Sequence, residues 1–189
     1  MLKNDEEMIL YHGSYCEVSK PDLTRCAMHK DFGRGFYLTT SEEQAQRFSR
    51  TSLKKAVANG LVDGRQEYGI VSVFSCPAEG WNSLKICEFE TADPDWLNCM
   101  VGHRKGKALA QTVRQYREYD VIGGKIANDA TNATITAYMA GIYGTVGSER
   151  AAQLCITLLL TERLKDQYCF RSQQAIDALH FMGSYQVWK

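Results

Sequence analysis

Short β-prone runs recur along the whole chain, separated by helical stripes, yet strands and helices never settle into strict alternation. That pattern constrains the fold more than any other feature. Met8-Ile9-Leu10-Tyr11 reads as a buried strand that ends in a turn at His12-Gly13-Ser14. Residues 15–34 are polar, basic and irregular, which predicts a long loop, and Phe36-Tyr37-Leu38-Thr39-Thr40 predicts a second strand. Ser41, with Gln44 three residues on, predicts a capped helix whose buried face carries Ala45, Phe48, Leu53, Ala56 and Val57 and which ends at Asn59-Gly60. Strands are expected at 70–74, 84–89, 119–127, 167–170 and 185–188. Helices are expected from Asp93-Pro94 through Met100, over roughly 131–142, from a Ser148 cap to Leu159, and from a Ser172 cap to Leu179. In the Ser148 helix, Ala151, Ala152, Leu154, Cys155, Leu158 and Leu159 form a wide apolar stripe. A doubly wound parallel sheet needs strict alternation, so the expected class is α+β.

Length and charge narrow the function classes. A chain of 189 residues suits one domain, and no linker or internal repeat divides residues 1–189. Lys and Arg total 22, equal to Asp and Glu, so no net positive field favours non-specific binding to duplex nucleic acid. The acidic start Met1–Glu7 lacks the apolar stretch of a signal peptide, and Leu158-Leu159-Leu160 is far too short to span a bilayer. Seven cysteines with no CxxC pair argue against a zinc site, so no metal is expected; reduced buried thiols of a cytoplasmic protein fit better.

Three short segments carry residues that a purely structural strand does not require. In His12-Gly13-Ser14, glycine permits close approach of a ligand to the backbone, and the histidine can bond a hydroxyl. In Gly33-Arg34-Gly35-Phe36-Tyr37-Leu38, Tyr37 offers a flat face to an aromatic ring. In Asp166-Gln167-Tyr168-Cys169-Phe170, alternation turns Gln167 and Cys169 to one side of the strand and Asp166 to the other. Each segment alone has an ordinary structural reading. Their order gives them weight.

Together they resemble the ADP-ribosyltransferase superfamily, in its diphtheria-toxin-like and polymerase branch. There a His-Gly-Ser/Thr strand, a Gly-x-Tyr strand and a late Glu-Tyr-x-Val-Tyr strand build an NAD⁺ pocket. Tyr11-His12-Gly13-Ser14, Gly35-Phe36-Tyr37-Leu38 and Gln167-Tyr168-Cys169-Phe170 are similar to these, and Tyr119-Asp120-Val121-Ile122-Gly123 leading to Ala127-Asn128-Asp129 resembles a little-characterised bacterial group of such domains. The resemblance implies a split, mostly antiparallel sheet around an NAD⁺ cleft. It implies His12 on the adenosine ribose, Gly13 holding the nicotinamide carboxamide through its backbone, and Ser14 on the adjacent ribose. It further implies Tyr37 stacked on the nicotinamide. Arg34, which ends the basic loop beside the Tyr37 strand, is expected to contact the NAD⁺ diphosphate or an acidic acceptor such as a nucleic acid. NAD⁺ would be a co-substrate, with ADP-ribose passing to a macromolecular acceptor, protein or nucleic acid. A toxin or defence setting, with a cognate antitoxin or immunity partner, follows by analogy.

The chain departs from that pattern at Gln167, where the polymerase-type motif has glutamate. An amide can still accept a bond from a ribose hydroxyl, but it supplies no anion to an oxocarbenium-like state; such a contact is worth ~2.7–4 kcal/mol. The carboxylates considered in its place are Asp129 and Asp166, with Asp129 preferred. The alternative is a weakened NAD⁺- or ADP-ribose-binding module. A phosphotransferase using NAD⁺ as phosphate acceptor would need an arginine-rich cradle, and none is visible as a motif. His103-Arg104-Lys105 and His180 read as surface features, and Trp81, Trp96 and Trp188 as packing residues.

Overall fold

The computed structural model describes residues 6–105, 109–126, 129–159 and 164–188. Its fold is α+β. Strands β1 (Met8–Ser14), β3 (Tyr68–Cys76) and β7 (His180–Trp188) form an antiparallel sheet in the order β1-β3-β7. Strands β2 (Phe36–Leu38), β6 (Asp166–Phe170), β5 (Val121–Lys125) and β4 (Ile86–Glu88) form a second sheet in the order β2-β6-β5-β4, with only β4 and β5 parallel. An isolated bridge joins the two sheets, made by reciprocal backbone bonds between Tyr11 and Thr39 of 2.8 and 3.0 Å. Beyond it β1 and β2 part. His12, Gly13 and Tyr37 lie at that parting.

Helix α1 (Glu42–Ala58) covers the three-stranded sheet through Ala45, Ser49, Leu53 and Ala56. The helix sits so close because β1 and β3 present glycines to it. A Cβ at Gly13 would lie 2.1 Å from the Ala45 carbonyl oxygen, and one at Gly69 would lie 2.7 Å from the Ser49 backbone. This corrects the expected face: Phe48 is exposed, and the small side chain of Ser49 takes the buried place. Ser41 stands at the N-cap position but makes no capping bond; its N–H donates to Thr39 Oγ1 instead. Asp93, Ser148 and Ser172 do cap, accepting from Trp96 N, Ala151 N and Ala175 N.

One core lies between the two sheets, where Leu10, Phe36, Leu38, Phe74, Tyr168 and Phe170 meet Trp81 of α2 (Ala78–Asn82) and Ile176 of α7 (Gln173–Asp177). Another fills the opposite face of the four-stranded sheet. It packs Phe32 and Cys169 against α3 (Pro94–Lys105), α4 (Ala110–Gln115), α5 (Asp129–Met139) and α6 (Glu149–Leu159). In α6 the buried stripe is narrower than expected, because Leu154 and Leu158 face outward while Ile156 turns in. The seven cysteines are free thiols, four of them buried. Among the described residues, no helix is long and apolar enough to cross a membrane.

Candidate functional site

Strand β1 brings His12 to the point where the sheets separate. Its Nδ1 lies 2.8 Å from the Tyr37 carbonyl oxygen, and its ring packs on Phe36 with centroids 4.4 Å apart. A carbonyl only accepts, so Nδ1 carries the proton. Burial holds the His12 pKa below the ordinary histidine value, against the raising effect of the Tyr37 bond. The neutral ring therefore offers Nε2 as an acceptor, and a ligand hydroxyl would donate to it.

Tyr37 stands on β2 opposite Cys169 of β6, half-buried. Its hydroxyl accepts from the Phe32 N–H at 2.9 Å and donates to the Gly33 carbonyl at 2.8 Å, so it fastens the turn that precedes β2. Burial, and then Cys169 and Asp31, push its pKa well above the ordinary tyrosine value. It stays a neutral phenol. Cys169 shares that side of the sheet, but burial lifts its thiol to about 12, so it is no thiolate nucleophile at neutral pH.

Gln167 is buried on β6, and its environment was not legible from its neighbours in sequence. Its Nε2 donates to Asp31 Oδ2 at 3.0 Å. The other carboxylate oxygen of Asp31 is gripped by Arg104, with Nε at 2.8 Å and Nη2 at 2.7 Å. Arg104 Nη1 also reaches Asn132 Oδ1 at 3.3 Å. A carboxylate accepts only, so this contact fixes which way the amide lies. Oε1 is left as an acceptor, with no bonding partner among the described residues. Asp31 is the carboxylate that sequence reading missed.

The expected carboxylates fare differently. Asp166 pairs with Lys125 Nζ at 2.9 Å, on the strand face opposite Gln167, as alternation requires. Asp129 opens α5, but its side chain lies outside the described residues, as do Ala127 and Asn128. Ser14 is buried in register with Ile70. At Gly13 the backbone of α1 by itself leaves no room for a side chain.

His103 and Arg104 are not surface features. His103 is buried beside the turn, where a Cβ on Gly33 would strike its ring at 2.6 Å; Gly33 also holds a φ of +84°. Its Nδ1 donates to the Cys99 carbonyl at 2.9 Å, and its Nε2 is a buried acceptor without a partner among the described residues. Arg104 is spent on Asp31. Sequence reading missed both because they head a basic His-Arg-Lys run, although Cys99 and Met100, one turn earlier in α3, are fully buried on the same side of the helix.

Arg34 does not join this group. Its Nε donates to the Leu23 carbonyl at 2.8 Å, and its guanidinium lines a separate open cavity of about 370 Å³ with Arg117 and Arg171. None of His12, Tyr37 and Gln167 lines that cavity. The fold thus brings three arginines from separate segments to one cavity.

No curated protein and no solved structure matches the chain. Residues 8–181 match the family described as "Protein of unknown function (DUF3990)". The match takes in the four-stranded sheet, β1, β3 and the first two residues of β7, with every residue of the His12–Tyr37–Gln167 group, and the protein belongs to the DUF3990 family.

Proposed function

We propose that the protein is a mono-ADP-ribosyltransferase that cleaves NAD⁺ at the nicotinamide–ribose bond and passes ADP-ribose to a macromolecular acceptor. The observation that carries this reading is the group at the parting of the two sheets. A neutral His12 offers Nε2, Tyr37 offers a ring face, and Gln167 offers an amide oxygen held in one orientation by Asp31. In the reaction the C1′–N bond breaks, neutral nicotinamide leaves with the bonding pair, and the ribosyl carbon passes through an oxocarbenium-like state. The acceptor then attacks that carbon and loses its proton. Gln167 Oε1 receives the ribose 2′-hydroxyl. Behind the amide, the Asp31 carboxylate polarises it and supplies negative charge one step removed from the reacting carbon. Arg104 neutralises part of that charge, which suits slow or acceptor-dependent turnover.

The amide at position 167 also supports a second reading, a module that binds NAD⁺ or ADP-ribose without efficient cleavage. A toxin or defence effector with a cognate antitoxin or immunity partner is the proposed biological setting, and the free buried thiols support a cytoplasmic one. Titration calorimetry with NAD⁺ tests the pocket that both readings share. Tyr37→Ala is expected to weaken binding by ~1–3 kcal/mol, the scale of stacking on a flat heterocycle. His12→Ala is expected to weaken it by ~0.5–1.5 kcal/mol. NAD⁺ affinity unchanged in both folded variants removes the pocket from this location.

A further inference from the structure

We propose that the cavity formed by Arg34, Arg117 and Arg171 binds the phosphoryl group of a phosphomonoester. It lies where β2 begins, β6 ends and β5 begins, since Phe36 and Val121 both pair with Phe170. Gln167 is three residues back along β6 from Phe170, ~10 Å at the rise of a strand. Two of the guanidiniums are held by backbone carbonyls: Arg34 by Leu23 at 2.8 Å, Arg171 by Tyr116 at 2.5 Å. Each spends one of its five N–H groups there and keeps the rest. Arg117 is exposed and makes no side-chain hydrogen bond to a described residue. Ser172 Oγ accepts from Ala175 N, so its own proton is available to a phosphate oxygen.

Two carboxylates also line the cavity, and both are drawn toward Lys85. Asp120 Oδ2 accepts the Lys85 N–H at 2.9 Å, and Glu118 stands 3.9 Å from Lys85 Nζ. Three forked cations against two engaged carboxylates favour an anion with several oxygens, and a phosphoryl dianion satisfies more forks than a carboxylate does. About 370 Å³ is the size of a small-molecule site, and Leu23 and Tyr119 supply an apolar wall for the organic body. The inference is independent of the NAD⁺ reading.

The phosphomonoester has two sources, a free sugar phosphate or the 5′-phosphate end of an oligonucleotide. Calorimetry on the full chain at low salt would compare ribose 5-phosphate, a 5′-phosphorylated oligonucleotide, and the unphosphorylated form of each. The phosphorylated form of at least one probe is expected to bind and its unphosphorylated form is not; whichever binds more tightly identifies the source. Arg117→Gln and Arg34→Gln, both at exposed positions, are each expected to weaken binding roughly tenfold. His12→Ala should leave it unchanged. Failure of both phosphorylated probes to bind, or binding indifferent to Arg117→Gln, would overturn the assignment.

Discussion

Asp31 and Gln167 stand 136 positions apart in the chain, yet they share one hydrogen bond on which the account of the site turns. If the useful negative charge resides on Asp31, Gln167→Glu should not improve the enzyme. Two carboxylates at hydrogen-bond distance cannot both ionise freely, and one would take up a proton. Asp31→Asn alone should lower nicotinamide release by about tenfold or more, since it removes the charge while keeping the shape. The double variant Asp31→Asn/Gln167→Glu moves the charge one step nearer the ribose and restores a single anion, and it is expected to recover release at least to the parent rate. Steady-state nicotinamide release by the four proteins checks this, and an Asp31→Asn protein as active as the parent contradicts it. The histidines give a second residue-level expectation. Burial lowers the pKa of both His12 and His103, so the folded state takes up fewer protons than the unfolded chain. Stability is then full above the unfolded value of about 6.5 and falls as pH drops through the lower folded values. Urea midpoints should decrease from pH 7.5 to pH 5, and His103→Gln should flatten that decrease.

At the scale of elements, Gly13 and Gly69 determine how closely α1 can seat on the three-stranded sheet. Gly13→Ala forces a methyl group into the Ala45 carbonyl, and a destabilisation of ~1–3 kcal/mol is expected from overpacking. Chemical denaturation measures it, and a Gly13→Ala protein as stable as the parent would mean that α1 does not bear on this strand. The helix itself was legible in sequence from its polar start and its Asn59-Gly60 stop, and the strands at β1, β2, β3 and β6 from their compact apolar runs. Helices α2 and α4 were not, because neither is long enough to display a period. Strand β7 was half legible. It is an edge strand with mostly exposed side chains and a bulge opposite Val73/Phe74, so its first residues show no clean alternation.

For the whole molecule, the His12, Tyr37 and Gln167 segments stand out in sequence because each is a local motif. The partners that orient them were hidden, because Asp31 and Arg104 meet only once β6, the turn before β2 and α3 have packed. The same holds for the three arginines of the separate cavity, which come from distant segments with ordinary local composition. Local chemistry is written in short motifs, whereas charge compensation is written in the fold. The most direct measurement of the central claim is nicotinamide release from NAD⁺ by the full chain, with and without a cell lysate as the source of acceptor. The account predicts release that rises with lysate and falls by roughly 10²-fold or more in Gln167→Ala, which removes the oriented amide. Release absent under both conditions, or equal in the parent and Gln167→Ala proteins, would contradict it.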